Sequence, residues 1–79
     1  MKTLLIGYIE ALLFAANNRN TSQGVKIYEL ALDQLESADS DKAVLEILSR
    51  LKESLIGMDT HGYFPPSEYD LVKKILSLP

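Results

Sequence analysis

Tyr63-Phe64-Pro65-Pro66-Ser67-Glu68-Tyr69, running on into Asp70-Leu71-Val72-Lys73-Lys74-Ile75-Leu76, reads as a loop that stops one helix and starts another. With Pro65 as the cap, Pro66 falls at the first helical position, where an amide proton would find no partner anyway. Glu68 then stands at the third position, a carboxylate at the positive end of the helix dipole. Phe64 and Tyr69 take the two positions of a hydrophobic staple, which sets the angle at which the chain joins the helix. Leu71, Val72, Ile75 and Leu76 form one apolar face, and Lys73 and Lys74 suit the negative end. The stretch predicts a helix over 66–77. The only histidine, His61, stands just ahead of it, between Thr60 and Gly62.

Working back from this helix, apolar residues recur at helical spacing. Asp39-Ser40-Asp41 offers capping oxygens and first-turn carboxylates, and Val44, Ile47, Leu48, Leu51 and Leu55 form a regular stripe. Lys42, Glu46 and Arg50 alternate in charge four residues apart, worth ~0.2–0.5 kcal/mol per pair. Gly57 is the expected stop, giving a helix over 41–56. Before it, Thr21 or Ser22 offers a cap for a helix over 22–37. Ile27, Tyr28, Ala31, Leu32 and Leu35 share one face of that helix, and Glu29, Asp33 and Glu36 share the opposite one. Leu30 falls outside the stripe and is expected to be exposed.

The first helix is expected over 3–17, ended by the turn-favouring run Asn17-Asn18-Arg19-Asn20-Thr21-Ser22. Leu4, Leu5, Tyr8, Leu12, Ala15 and Ala16 share a broad face. Ile6, Leu13 and Phe14 lie on the other side beside Glu10. A helix apolar nearly all round is buried on more than one side. Further core is the first account of Ile6, Leu13 and Phe14, and a homodimer face is the second. No alternating run or hairpin dipeptide signals a strand. The expected fold is all-α: one domain over 1–79, built as an antiparallel up-down four-helix bundle.

Composition narrows the function. The chain has 79 residues, no cysteine, one histidine and a net charge of −3. A domain this small has a modest core. Disulfides and thiolate metal sites are excluded, and a multi-histidine metal site cannot be assembled within one chain. No phosphate loop, dinucleotide glycine pattern or metal-binding helix motif occurs, so neither cofactor nor metal is expected. His61 with Asp59 and Ser54 or Ser67 can be drawn as a hydrolytic triad, but nothing signals the oxyanion hole that such chemistry needs. A non-enzymatic role is expected. The acidic balance disfavours nucleic acid, whose binding relies on excess Lys and Arg, and favours a basic protein or peptide.

Met1-Lys2-Thr3 followed by Leu4 to Ala16 has the outline of a signal peptide, but Glu10 interrupts its apolar run. The run also falls short of the ~20 apolar residues that span a bilayer. The sequon Asn20-Thr21-Ser22 matters only in an exported chain. A cytoplasmic protein without a transmembrane segment is expected.

From Ile27 to Asp41 the chain carries Glu29, Asp33, Glu36, Asp39 and Asp41 and no Lys or Arg. Such a run is either a solvated face or a docking surface for a basic partner. Phe64 and Tyr69 are explained by the staple. His61 and Tyr63, in the loop from Met58 to Tyr63, are not, and they join the carboxylates as candidate partner-binding residues.

Three segments carry a resemblance: Ala31-Leu32-Asp33-Gln34-Leu35-Glu36, then Ala43-Val44-Leu45-Glu46-Ile47-Leu48-Ser49-Arg50-Leu51-Lys52-Glu53, then Phe64 to Ile75. This pattern of leucines and turns resembles small helical immunity proteins, both the enterocin A immunity group of class IIa bacteriocins and the small acidic immunity proteins of polymorphic toxin systems. The resemblance implies protection of a producing bacterium from its own toxin, from the cytosolic side, by binding without catalysis. The partner it implies is a basic toxin whose cleft an acidic surface covers, or a bacteriocin–receptor complex. The alternative expectation is a small homodimeric helical regulator or adaptor, of the kind phages encode, using helix one as its dimer face.

Overall fold

Four helices follow one another in the described chain: α1 (Lys2–Asn18), α2 (Gln23–Ser37), α3 (Asp41–Thr60) and α4 (Pro66–Leu76). The computed structural model describes residues 1–19 and 23–79. The expected Thr21 or Ser22 cap of α2 lies outside the described residues.

Local chemistry sets the remaining boundaries. The Ser40 hydroxyl accepts from the Ala43 amide at 3.1 Å, capping α3, and Asp41 follows in its first turn. Pro65 caps α4 and Pro66 occupies its first position, as the sequence predicts. The end of α3 departs from expectation. Gly57 does not stop the helix, which runs on to Thr60. A helical glycine costs only ~1 kcal/mol relative to alanine, and the extra turn buries Met58. The stop is Gly62, whose φ of +67° is the left-handed conformation that glycine adopts without strain. The Gly62 amide donates to the Asp59 carbonyl at 2.9 Å and the Tyr63 amide to the Met58 carbonyl at 3.1 Å. Together these bonds form a Schellman motif.

The helices pack as an antiparallel up-down bundle. Its neighbouring pairs are α1–α2, α2–α3, α3–α4 and α1–α4, and α1–α2 is the most extensive contact. Leu5, Ile9, Leu12 and Ala16 of α1 are fully buried, at spacings of four, three and four residues. Ile9 is a core residue that the expected face omitted, whereas Leu4 is about half exposed. Against this stripe lie Tyr28, Ala31 and Leu35 of α2, the expected stripe of α3, and Val72 and Ile75 of α4. Ile6 and Leu13 pack partly against the core, whereas Phe14 is 69% exposed. The three residues read as one candidate dimer face are therefore split.

We call the end where α1 and α3 finish, and α2 and α4 begin, the upper end. The long axis of the molecule is 33 Å. At 1.5 Å per residue α3 spans ~30 Å of it and α4 only ~16 Å, so α4 covers the upper half of the bundle. Lys52 of α3 donates to the Leu78 carbonyl, tying down the segment after α4. At the lower end the Lys2 ammonium donates to the Ala38 carbonyl at 2.7 Å. Among the described residues no helix is long and apolar enough to cross a membrane.

Candidate functional site

The side chains with the strongest chemical character meet at the upper end. Arg19 is the C-terminal cap residue of α1. Its guanidinium forms a forked ion pair with Glu68 of α4, Nε to one carboxylate oxygen and Nη2 to the other, the latter at 3.1 Å. Glu68 is 1% exposed, and the Arg19 side chain is a third exposed. The hydrogen bond to Glu68 holds the Arg19 proton above its ordinary pKa, against the opposing effect of burial. The guanidinium carbon also sits 5.1 Å from the centre of the Tyr63 ring, a cation–π contact. Phe64 meets the same ring edge-on, with centroids 5.2 Å apart.

Tyr63 reaches further. Its hydroxyl accepts from the Gly24 amide at 3.1 Å, one of the amides a helix start leaves without an intrahelical partner. Gly24 is glycine for lack of room: a Cβ there would lie 2.7 Å from the Tyr63 hydroxyl and 3.2 Å from Cε2 of Tyr28. Tyr28 is fully buried, and its hydroxyl has no hydrogen-bond partner among the described residues. Burial first, then the proximity of Tyr63 and Glu68, raises its pKa well above the ordinary tyrosine value. One arginine, one glutamate and two tyrosines thus link the ends of all four helices. The cluster is closed around itself and works as a strap.

The sequence-predicted partner residues fall in three places. Glu29, Asp33 and Glu36 are exposed on α2, and no cation lies within 4.0 Å of them among the described residues. Asp39 and Asp41 are exposed at the lower turn, either side of the Ser40 cap, where they line a hollow with Lys2 and Val44. His61 is exposed at the upper turn. Tyr63, in the same loop, turns inward instead and belongs to the strap. Asp59 is exposed beside the same turn, Ser67 is exposed in the first turn of α4, and Ser54 lines a groove further down α3. No hydrogen bond joins these four polar residues among the described residues. No group of three or more His, Asp or Glu side chains placed to hold a metal occurs there either.

That groove runs between α2 and α3. A cleft of about 230 Å³ is lined by Ile27, Leu30, Ala31 and Leu51. A second hollow of about 410 Å³ adjoins it towards the lower end, with Asp33 and Glu46 on its walls. Gln34, Ile47 and Arg50 line both, so the two form one trough. It exists because short residues interrupt this seam: Ala31, Ala38, Ala43 and Ser54 leave space between their larger neighbours. Leu30, expected to be exposed, is 58% exposed and forms the lip. Sequence reasoning missed the groove because Glu46 and Arg50 read as a helix-stabilising row. The small residues at matching positions of two successive helices are the signal that would have found it. Neither a family model, nor a curated protein, nor a solved structure matches the chain.

Proposed function

We propose that the chain is a non-catalytic binding protein of the cytoplasm that meets a basic protein partner through the acidic surface of its α2–α3 hairpin. This is the role implied by the resemblance to small bacterial immunity proteins, in which the partner is a toxin or a bacteriocin–receptor complex. The observation that carries it is the distribution of charge. Eight of the eleven carboxylates, but only four of the eight Lys and Arg residues, lie between Gln23 and Thr60. The whole negative excess of the molecule therefore sits on one hairpin. Glu29, Asp33 and Glu36 there are exposed, with no cation within 4.0 Å among the described residues. Such a field steers a basic partner and speeds encounter, more strongly at low salt.

The test is a protection assay. Cells producing the toxin that this reading calls for should grow when they also make this chain. They should stop growing when Glu29, Asp33 and Glu36 are all replaced by Lys, in a variant that still melts cooperatively. Protection by the triple variant, with unchanged salt dependence of binding, overturns the proposal. Exposed Leu4 and Phe14 on α1 favour the second reading, a homodimeric regulator. Sedimentation at rising concentration distinguishes the two: a tight dimer lost on Phe14→Ser supports the regulator, and a monomer supports the acidic-face binder.

A further inference from the structure

We infer that the groove between α2 and α3 receives an amphipathic helix from the basic partner. Its apolar side chains lie on Ile27, Ala31, Ile47 and Leu51 beneath the Leu30 lip, and its Lys or Arg residues reach Asp33 and Glu46. The inference rests on the reading of the hairpin as the partner surface, and names the element that docks there.

Three features converge on this occupant. The first is shape. The trough extends from Ile27 to Ser37 along α2, with Ala38 just past its end, and from Ala43 to Ser54 along α3, or ~16 Å of helix at 1.5 Å per residue. That length takes about three turns of a guest, with anchors three and four residues apart. The second is backbone chemistry. Both walls are helices, whose own backbone groups are already paired, so the groove offers no sheet edge to an extended strand. A guest that enters an apolar cleft must satisfy its own amides and carbonyls, which a helix does. The third is charge. Asp33 and Glu46 stand on opposite walls, Arg50 is the one cation among the lining residues, and among the described residues none of the three has an opposite charge within 4.0 Å. A lone exposed leucine is ordinary on a protein surface. Leu30 differs because it borders an apolar cleft that opens into a hollow with Asp33 and Glu46 on its walls.

The test uses fluorescein-labelled helical peptides and the full chain, followed by fluorescence anisotropy. One peptide carries Leu at the anchor spacing and Lys on both flanks. A second replaces its Leu by Ser, and a third replaces its Lys by Glu. The Leu/Lys peptide should bind, and added salt should weaken it. Leu30→Ser should weaken it about tenfold, the loss of one seated leucine contact. Asp33→Lys combined with Glu46→Lys should abolish it, whereas Glu29→Lys combined with Glu36→Lys should weaken it only modestly. Equal binding of the Ser/Lys peptide, untouched by Leu30→Ser, overturns the groove and leaves the acidic-face reading standing. Equal binding of the Leu/Glu peptide overturns the stated occupant and the acidic-face reading together. Binding of no peptide overturns the groove and leaves the acidic-face reading to the protection assay. Self-association of the chain lost on Leu30→Ser makes a second copy the occupant and overturns the inference.

Discussion

At the upper end Arg19, Glu68, Tyr63 and Tyr28 meet in one cluster; along the α2–α3 seam Ala31, Gln34, Ala43 and Ser54 leave a trough. The first region holds the residues a reader would pick for chemistry, and it has turned them inward. Glu68 is spent on Arg19, and the Tyr63 hydroxyl on a helix start 39 residues away in sequence. The second region holds unremarked side chains, and it keeps apolar surface and unpaired charge facing water. The difference teaches that a small bundle can close one end with its charged and aromatic residues while leaving a seam between two helices unfilled.

The contrast can be broken most forcefully at the ion pair. Arg19→Met leaves the buried Glu68 carboxylate without its partner and should cost about 3 kcal/mol, the lower part of the range for halving a buried pair, because Arg19 is a third exposed. Adding Glu68→Leu should recover most of that loss. Chemical denaturation measures both, and an Arg19→Met variant as stable as the parent would show that the cluster is not a strap. Gly24→Ala should cost ~1–3 kcal/mol through overpacking against Tyr63 and Tyr28. Tyr63→Phe removes the nearest clashing atom, so the double variant should cost less than the two single changes added together.

The smallest effect belongs to Tyr28. Its hydroxyl is buried without a hydrogen-bond partner among the described residues, so Tyr28→Phe should be neutral or stabilise by up to ~1 kcal/mol near neutral pH. The pH dependence has a definite sign. The folded state raises the Tyr28 pKa, so the folded chain keeps a proton that the unfolded chain releases near pH ~10. The neutral hydroxyl's contribution is fully present below that pH and is lost as pH rises above it. Tyr28→Phe should flatten the alkaline fall in melting temperature, and an unchanged alkaline limb would contradict the burial of this ring.

Much of the architecture was legible in the sequence because it follows from local rules. Ser40, Pro65 and Pro66 announce their helix starts, and Val44, Ile47, Leu48, Leu51 and Leu55 fall at the expected spacing. Gly57 misled because glycine is a weak helix breaker when the next turn has Met58 to bury. The left-handed backbone at Gly62 depends on two hydrogen bonds of the turn rather than on residue type alone. The strap was illegible for a different reason. Glu68 was correctly placed at the third position of α4, but its partner lies 49 residues away, and no periodicity encodes such a distance. The same holds for Tyr63: its loop position points to exposure, but Gly24, 39 residues away, leaves room for its hydroxyl.

The most direct test is a backbone amide chemical-shift map of the isotopically labelled chain titrated with the Leu/Lys peptide. The account predicts that the largest shifts fall on Ile27, Leu30, Ala31, Gln34, Ile47 and Arg50, with the amides of Arg19, Gly24, Tyr63 and Glu68 unmoved. Shifts centred on Arg19, His61, Tyr63 and Glu68, with the groove silent, would contradict it and return the functional surface to the upper end.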